Sequence, residues 1–185
     1  MSPWALNRLA QALSAGAVIA YPTDTIWGFG CDPANGASVA RLLQIKQRPV
    51  HKGLILLASD MQYCDPFVEL KPGQRDILLQ ARERPTTWLV QASAHCPWWI
   101  RGSHPTVAIR ITDHPLISFL CERLQSPLVS TSANRAGRSN ARNALQLRRQ
   151  FAGELDSIVT GFATGGGQPS EIKSLAGGTT IRASH

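Results

Sequence analysis

Short apolar runs alternate with amphipathic stretches along this chain, and the alternation lays out its elements. Ser2 and Pro3 suit an N-cap and a first helical position. Leu6, Leu9, Ala10 and Leu13 follow at helical spacing, and Gly16 stands where that helix would stop. Residues 17–21 are apolar or aromatic and predict a buried strand that Pro22 ends. Ser38 predicts the cap of a second helix, with Val39, Leu42 and Leu43 on one face, and Pro49 closes it because proline disfavours helical geometry in the residue before it. Residues 54–58 predict a strand, 72–82 a helix, and 87–90 and 106–111 two more strands. In the last of these, Thr106, Ala108 and Arg110 share one face while Val107, Ile109 and Ile111 share the other. His114 and Pro115 open a helix through Leu116, Phe119, Leu120 and Leu124. A strand starts at Pro127 and ends in residues 130–134. A basic helix over 141–151, a strand over 155–159, a glycine-rich stretch at 161–168 and a strand over 179–182 complete the chain. Strands alternate with helices without a repeat or linker, which predicts one α/β domain over residues 1–185.

Charge changes that picture more than composition does. A hydrophobic fraction of 43% and a charged fraction of 17% fit a globular protein. No apolar run approaches a membrane span, and the first residues lack the basic-then-apolar order of a signal peptide. A cytoplasmic protein with no membrane partner is therefore expected. The net charge is +7 and uneven: between Glu122 and Glu154 there is no acid, but Arg123, Arg135, Arg138, Arg142, Arg148 and Arg149 all fall there. Such a field attracts polyanions, whether nucleotides, RNA or acidic partners. Cys31, Cys64, Cys96 and Cys121 are irregularly spaced and the five histidines show no ligand spacing, so neither a metal site nor a disulfide framework is predicted.

The candidate chemistry begins at residues 45–53, IKQRPVHKG, where Lys46, Arg48 and Lys52 occur with no acid among them. In an extended segment Lys46 and Arg48 point to the same side. Paired cations at an element junction suit a triphosphate, with arginine supplying a planar fork; a solvated basic loop is the plainer alternative. Thr23 and Thr25, followed by Gly28 and Gly30, could line a small-molecule site or merely close a turn on their own hydroxyls. Arg110, on a strand among apolar neighbours, needs an anionic partner, either Asp113 or a ligand carboxylate. Ser130, Ser132 and Asn134 alternate, so all three can face one side at a strand's C-terminal end, where open α/β sheets bind ligands. No phosphate loop, dinucleotide fingerprint, nucleophile elbow or acid–base pair is present. What remains is Lys46, Arg48, Lys52, Arg110 and Arg182 with hydroxyls at Thr25, Thr106, Ser130, Ser132 and Ser170. That inventory suits phosphoryl or nucleotidyl transfer, where positioning and charge stabilisation do most of the catalysis.

Five blocks then carry a resemblance: YPTDTIWGFGCDP at 21–33, KQRPVHKGLILLA at 46–58, VAIRITDHP at 107–115, PLVSTSAN at 127–134 and PSEI at 169–172. In this order and spacing they resemble the YrdC-like family, of the short bacterial threonylcarbamoyl-AMP synthase type, from about residue 17 to 182. The resemblance implies a YrdC-like twisted mixed β-sheet flanked by helices, with a large basic concave groove. It implies a nucleotidyltransferase that joins L-threonine, bicarbonate or CO2 and ATP into threonylcarbamoyl-adenylate and releases diphosphate. The other proteins of the tRNA threonylcarbamoylation pathway would use the product, and tRNA or RNA binding in the groove is a further expectation. Carried over by position, Lys46 and Arg48 would be the catalytic cations on the ATP phosphates, with Lys52 nearby. Ser132, Asn134, Thr106, Asn140 and Arg182 would complete the ATP site. Thr25, Arg110, Ser130 and Ser170 would form the threonine site, with Arg110 on the carboxylate. Mg²⁺ would be held mainly by the phosphates, without a protein metal site. One block departs from the family pattern: where members have P-G-P-x-T, this chain has Glu83-Arg84-Pro85-Thr86-Thr87. The alternative from another class is a non-catalytic RNA-binding or ribosome-assembly factor using the same groove.

Overall fold

A computed structural model describes residues 1–80, 84–161 and 168–183. Helix α1 (Pro3–Ser14) begins as its sequence predicts, with the Ser2 hydroxyl accepting from the Ala5 amide. Strands β1 (Ile19–Tyr21) and β2 (Gly28–Gly30) follow, then helix α2 (Gly36–Lys46). Ser38 does not cap α2: Asn35 does, through its side-chain oxygen to the Ser38 amide, while the Ser38 hydroxyl donates to the Gly16 carbonyl. Asparagine ranks with serine as a cap, and the Asn35 position is set by the tight turn from Asp32 that precedes it.

Strand β3 (Ile55–Ala58) and helix α3 (Gln74–Leu79) come next; α3 covers the middle of the predicted 72–82 helix, whose residues 81–82 lie outside the described residues. Strand β4 (Thr86–Gln91), the short helix α4 (Trp98–Arg101), β5 (Thr106–Ile111), α5 (Pro115–Leu124) and β6 (Leu128–Ser132) form the middle of the chain. Helix α6 (Ala144–Gln150) and strands β7 (Ser157–Ile158), β8 (Glu171–Ser174) and β9 (Thr180–Arg182) end it. The predicted 161–168 glycine stretch falls largely outside the described residues. Strands β2 and β8 and helix α4 have no counterpart in the sequence reading.

The strands form one twisted mixed sheet in the order β7-β1-β2-β6-β3-β5-β4-β8-β9. Pairs β1–β7, β3–β5 and β4–β8 are parallel; β1–β2, β2–β6, β3–β6, β4–β5 and β8–β9 are antiparallel. Register explains the two faces. Val129, Leu56, Ile109 and Trp88 stand side by side across β6, β3, β5 and β4, and all are buried. One residue along each strand, Ser130, Ile55, Ala108 and Leu89 form the neighbouring row, and side chains of successive residues point to opposite faces. Helix α5 covers the apolar face over β3 and β6 and packs against α1. The other face is open and carries the site.

Strand β2 has glycine at both ends, and Gly30 has a steric reason. A Cβ there would sit 2.7 Å from the Tyr21 ring and 2.7 Å from the Val129 carbonyl oxygen. Only glycine lets β2 pass between β1 and β6 at this spacing.

Candidate active site

The open face of the sheet floors a cavity of about 520 Å³. Its walls carry Arg48, Lys52, Arg101, Arg110 and Arg182, and among the described residues none that lines it is a carboxylate. Of the positions singled out by sequence, Thr25, Arg48, Lys52, Thr106, Arg110, Ser130, Ser132, Asn134, Asn140, Ser170 and Arg182 all line it. Lys46 does not.

The cationic loop is built at the end of α2. Lys46 is the last helical residue, and Gln47 adopts the left-handed conformation (φ 52°) that turns the chain out. Lys46 and Arg48 therefore diverge, rather than pointing to one side as an extended segment would have them. The Lys46 ammonium is buried beneath the end of β6. It donates to the Ser132 carbonyl, to the Asn134 carbonyl at 2.9 Å, to Asn134 Oδ1 at 3.2 Å and to Ser132 Oγ at 3.4 Å, so its three hydrogens are shared among four acceptors. Burial first, and the nearby Arg48 charge second, lower its pKa to about 7. Ser132 Oγ in turn donates to Asn134 Oδ1 at 2.6 Å. Lys46 thus holds the Ser132–Asn134 segment from behind.

Arg48 faces the cavity. Its Nε and Nη2 both donate to the Gly53 carbonyl, at 3.3 and 2.9 Å, and Nη2 also donates to the Lys52 carbonyl at 3.2 Å. The loop itself is clamped on α4 and the turn after it: the Leu54 amide donates to Ile100 O at 2.9 Å and the Ser103 amide to His51 O at 3.1 Å. Burial, and then the positive charge of Arg182, lower the Arg48 pKa. Two arginines repelling one another across a cavity that no acid among the described residues lines make a place for an anion.

Arg110 closes the other end. It is 6% exposed, and its Nη2 makes a 2.6 Å ion pair with Asp24 while Nη1 donates to Thr25 Oγ1 at 3.0 Å. The protein partner is thus Asp24, across the sheet, and not Asp113 beyond the end of the same strand. Burial lowers the Arg110 pKa, and the Asp24 charge opposes that shift. Its Nε is buried with no partner among the described residues. The 23–25 segment closes a turn on its hydroxyls and also reaches the cavity. Thr23 Oγ1 accepts from the Thr25 amide at 3.0 Å and donates to Ile26 O at 2.8 Å, closing a turn, while Thr25 Oγ1 meets Arg110 at the cavity.

On the β8 side, Arg182 Nη2 donates to the Ser170 carbonyl at 2.9 Å, and the Ser170 and Thr87 hydroxyls are 2.8 Å apart. Asn140 Nδ2 donates to Trp27 O at 3.2 Å, and its Oδ1 is buried without a partner among the described residues. Sequence reasoning missed Arg101 and His104 as lining residues, along with Trp27, Leu89 and Ile181. Arg101 and His104 lie on either side of Gly102, a turn signal beside an arginine and a histidine that the sequence reading passed over. Of the metal question it can be said that no group of three His, Cys, Asp or Glu among the described residues is arranged to hold an ion.

A concave cavity on a mixed sheet, with arginines in its walls and hydroxyls and amides at its strand ends, defines an α/β domain with a site suited to an anionic ligand. A family model described as telomere recombination (Sua5/YciO/YrdC) matches residues 11–184, and the chain belongs to that family. It is 44% identical over 189 residues to the threonylcarbamoyl-AMP synthase of Cellvibrio japonicus (strain Ueda107), with 100% of both chains covered. It is 46% identical over 184 residues to the protein of that name from Pseudomonas savastanoi pv. phaseolicola, with 99% of both covered. Among solved structures, P. abyssi Sua5 complexed with L-threonine superposes with a TM-score of 0.90 at 24% identity, over 100% of this chain and 55% of that one. E. coli YciO superposes with a TM-score of 0.87 at 19% identity, over 99% and 90%. At these identities the two structures speak for the fold.

Proposed function

We propose that this protein is a threonylcarbamoyl-AMP synthase, a nucleotidyltransferase that converts L-threonine, bicarbonate and ATP into threonylcarbamoyl-adenylate and diphosphate. The observation that carries the reading is the charge inventory of the cavity, five cations and no carboxylate among the described residues, in a chain aligned end to end with proteins of that name. Threonine's amine and bicarbonate give a carbamate and water. A carbamate oxygen attacks the α-phosphate, the bond to the β-phosphate oxygen breaks, and diphosphate leaves. The nucleophile is already an anion, so the protein's task is to hold two anions together against their repulsion and orient them for in-line attack. Arg48, Lys52 and Arg182 take the triphosphate. Lys46 serves the same end by fixing Ser132 and Asn134, which with Thr106 and Asn140 take the nucleoside. Thr25, Arg110, Ser130 and Ser170 take threonine, with the Arg110 fork on its carboxylate. Asp24 neutralises the buried guanidinium until the substrate carboxylate adds its charge.

Mg²⁺ travels on the ATP phosphates as part of the substrate. The product serves the modification of an adenosine in tRNA by separate proteins, the partners this reading implies. The test is turnover by purified protein: diphosphate release that requires threonine, bicarbonate and ATP together, with the adenylate identified by mass. Release indifferent to threonine, or a salt-steep RNA affinity without turnover, would overturn it.

A further inference from the structure

Thr87 is fully buried on β4 and does not line the cavity, yet its Oγ1 lies 2.8 Å from the Ser170 hydroxyl, which does. β4 and β8 run parallel, with Thr87 opposite Ile172, so the Thr87 hydroxyl reaches the residue that leads into β8. Ser170 is itself 3% exposed. Its carbonyl accepts from Arg182 Nη2, and the Glu171 amide beside it donates to Pro85 O. Bonds at its own carbonyl and at the next amide therefore fix the Ser170 backbone from both sides, while among the described residues its side chain has the Thr87 hydroxyl as its partner. A serine hydroxyl rotates freely unless something holds it. Thr87 removes that freedom.

We propose that Thr87 is a positioning residue of the amino-acid subsite: it locks the rotamer and proton direction of Ser170 so that the Ser170 hydroxyl meets the threonine substrate already oriented. The inference rests on the assignment of Ser170 to threonine in the reading above. An isosteric threonine is suited to the role because its β-branch restricts χ1 in a strand, so the hydroxyl that holds Ser170 is itself held. The neighbouring Thr86 differs: its Oγ1 donates to Glu171 Oε1 at 2.6 Å, outside the cavity lining. The two adjacent threonines thus have distinct tasks.

Thr87→Val keeps the shape and deletes the hydroxyl, and Thr87→Ser keeps the hydroxyl. With diphosphate release as the assay, Thr87→Val should raise the KM for threonine about five- to tenfold, with the KM for ATP within about twofold of the parent. Thr87→Ser should restore most of the threonine KM. Valine with a parental threonine KM would overturn the proposal, as would a serine variant no better than valine, which would make the methyl group the active feature. Equal rises in both KM values with a lower melting temperature would assign Thr87 to the fold alone. Should Thr87→Val fail to fold, Thr87→Ala takes its place, and the comparison of Thr87→Ala/Ser170→Ala with each single variant decides: no loss beyond that of Ser170→Ala supports action through Ser170, and an additive loss overturns it. A parent protein with no threonine-dependent release would instead remove the function on which the inference rests, an outcome visible before any variant is made.

Discussion

Arg48 and Arg110 are both cavity arginines held by oxygen acceptors, and they differ in what holds them. Arg48 rests on two carbonyls and carries no counter-charge, whereas Arg110 is paired with Asp24. Arg48→Ala should therefore weaken ATP binding and Arg110→Ala threonine binding, each by about ten- to a hundredfold, the worth of a charge-assisted contact. Titration calorimetry of each ligand into each variant checks the split. Arg110→Lys should recover little, because an ammonium cannot meet Asp24, Thr25 and a carboxylate with one planar fork. If Arg110→Ala leaves threonine affinity intact and only destabilises the fold, Arg110 is a partner of Asp24 and nothing more. Lys46 carries a prediction on pH. Its folded pKa of about 7 lies below the ordinary 10.5, so between those values the unfolded chain holds a proton the folded protein has released. This group therefore adds stability as pH rises from about 7 towards 10.5, and the full cost of burying its charge is present below about 7. Lys46→Met should flatten that part of the urea-unfolding profile; an unchanged slope would place the proton release on another group.

The cationic loop depends on an element it does not belong to. Gly102, just after α4, has φ 65°, and a Cβ there would collide with the His51 carbonyl oxygen and lie 2.7 Å from the Gly53 amide nitrogen. Gly102→Ala must push the 51–53 turn away from α4, and with it the Lys52 and Gly53 carbonyls that hold Arg48. The expected result is a KM for ATP raised about tenfold or more, with stability reduced by about 1–3 kcal/mol. Gly73→Ala is the control: φ is 78° there too, but nothing lies within 4 Å of the added carbon. It should cost about 1 kcal/mol of stability with no change in the KM for ATP. Equal effects of the two substitutions on ATP would separate Arg48 from the clamp. Strand β2 makes a related point: the task of Gly30 is to let β2 pass between β1 and β6, whereas a Cβ at Gly28 would come no nearer than 3.4 Å to its neighbours.

For the whole molecule, the core runs under the sheet and includes all four cysteines, each buried and unpaired. Burial is the largest influence on every one of these thiols and pushes its pKa up, in Cys31 and Cys64 far above the ordinary range. A thiolate is the reactive form, so the native protein should resist a thiol reagent that labels all four once it is unfolded. Labelling against denaturant concentration should track the loss of tryptophan fluorescence. Rapid labelling of the native state would show that the core opens locally. Among the described residues no helix is long and apolar enough to cross a membrane.

The sequence by itself determined what depends on neighbours a few residues apart. The Ser2 cap, the face shared by Thr106, Ala108 and Arg110, the alternation of Ser130, Ser132 and Asn134, and the five motif blocks were all legible, because helix and strand periods are local properties. The family membership followed from those blocks. Only the tertiary structure decided that Asp24 rather than Asp113 pairs with Arg110, since that pairing joins residues 86 positions apart in the chain. It also decided that Lys46 is buried under residues 132–134 and leaves the cavity to Arg48, a consequence of one left-handed residue at Gln47. Asn35 won the cap from Ser38 because the Gly16 carbonyl took the serine hydroxyl, again across a long stretch of chain. Arg101 and His104 joined the cavity because α4 packs on the loop before β3. The division is physical: spacing sets the direction of a side chain on its own element, and the register between elements sets what it meets.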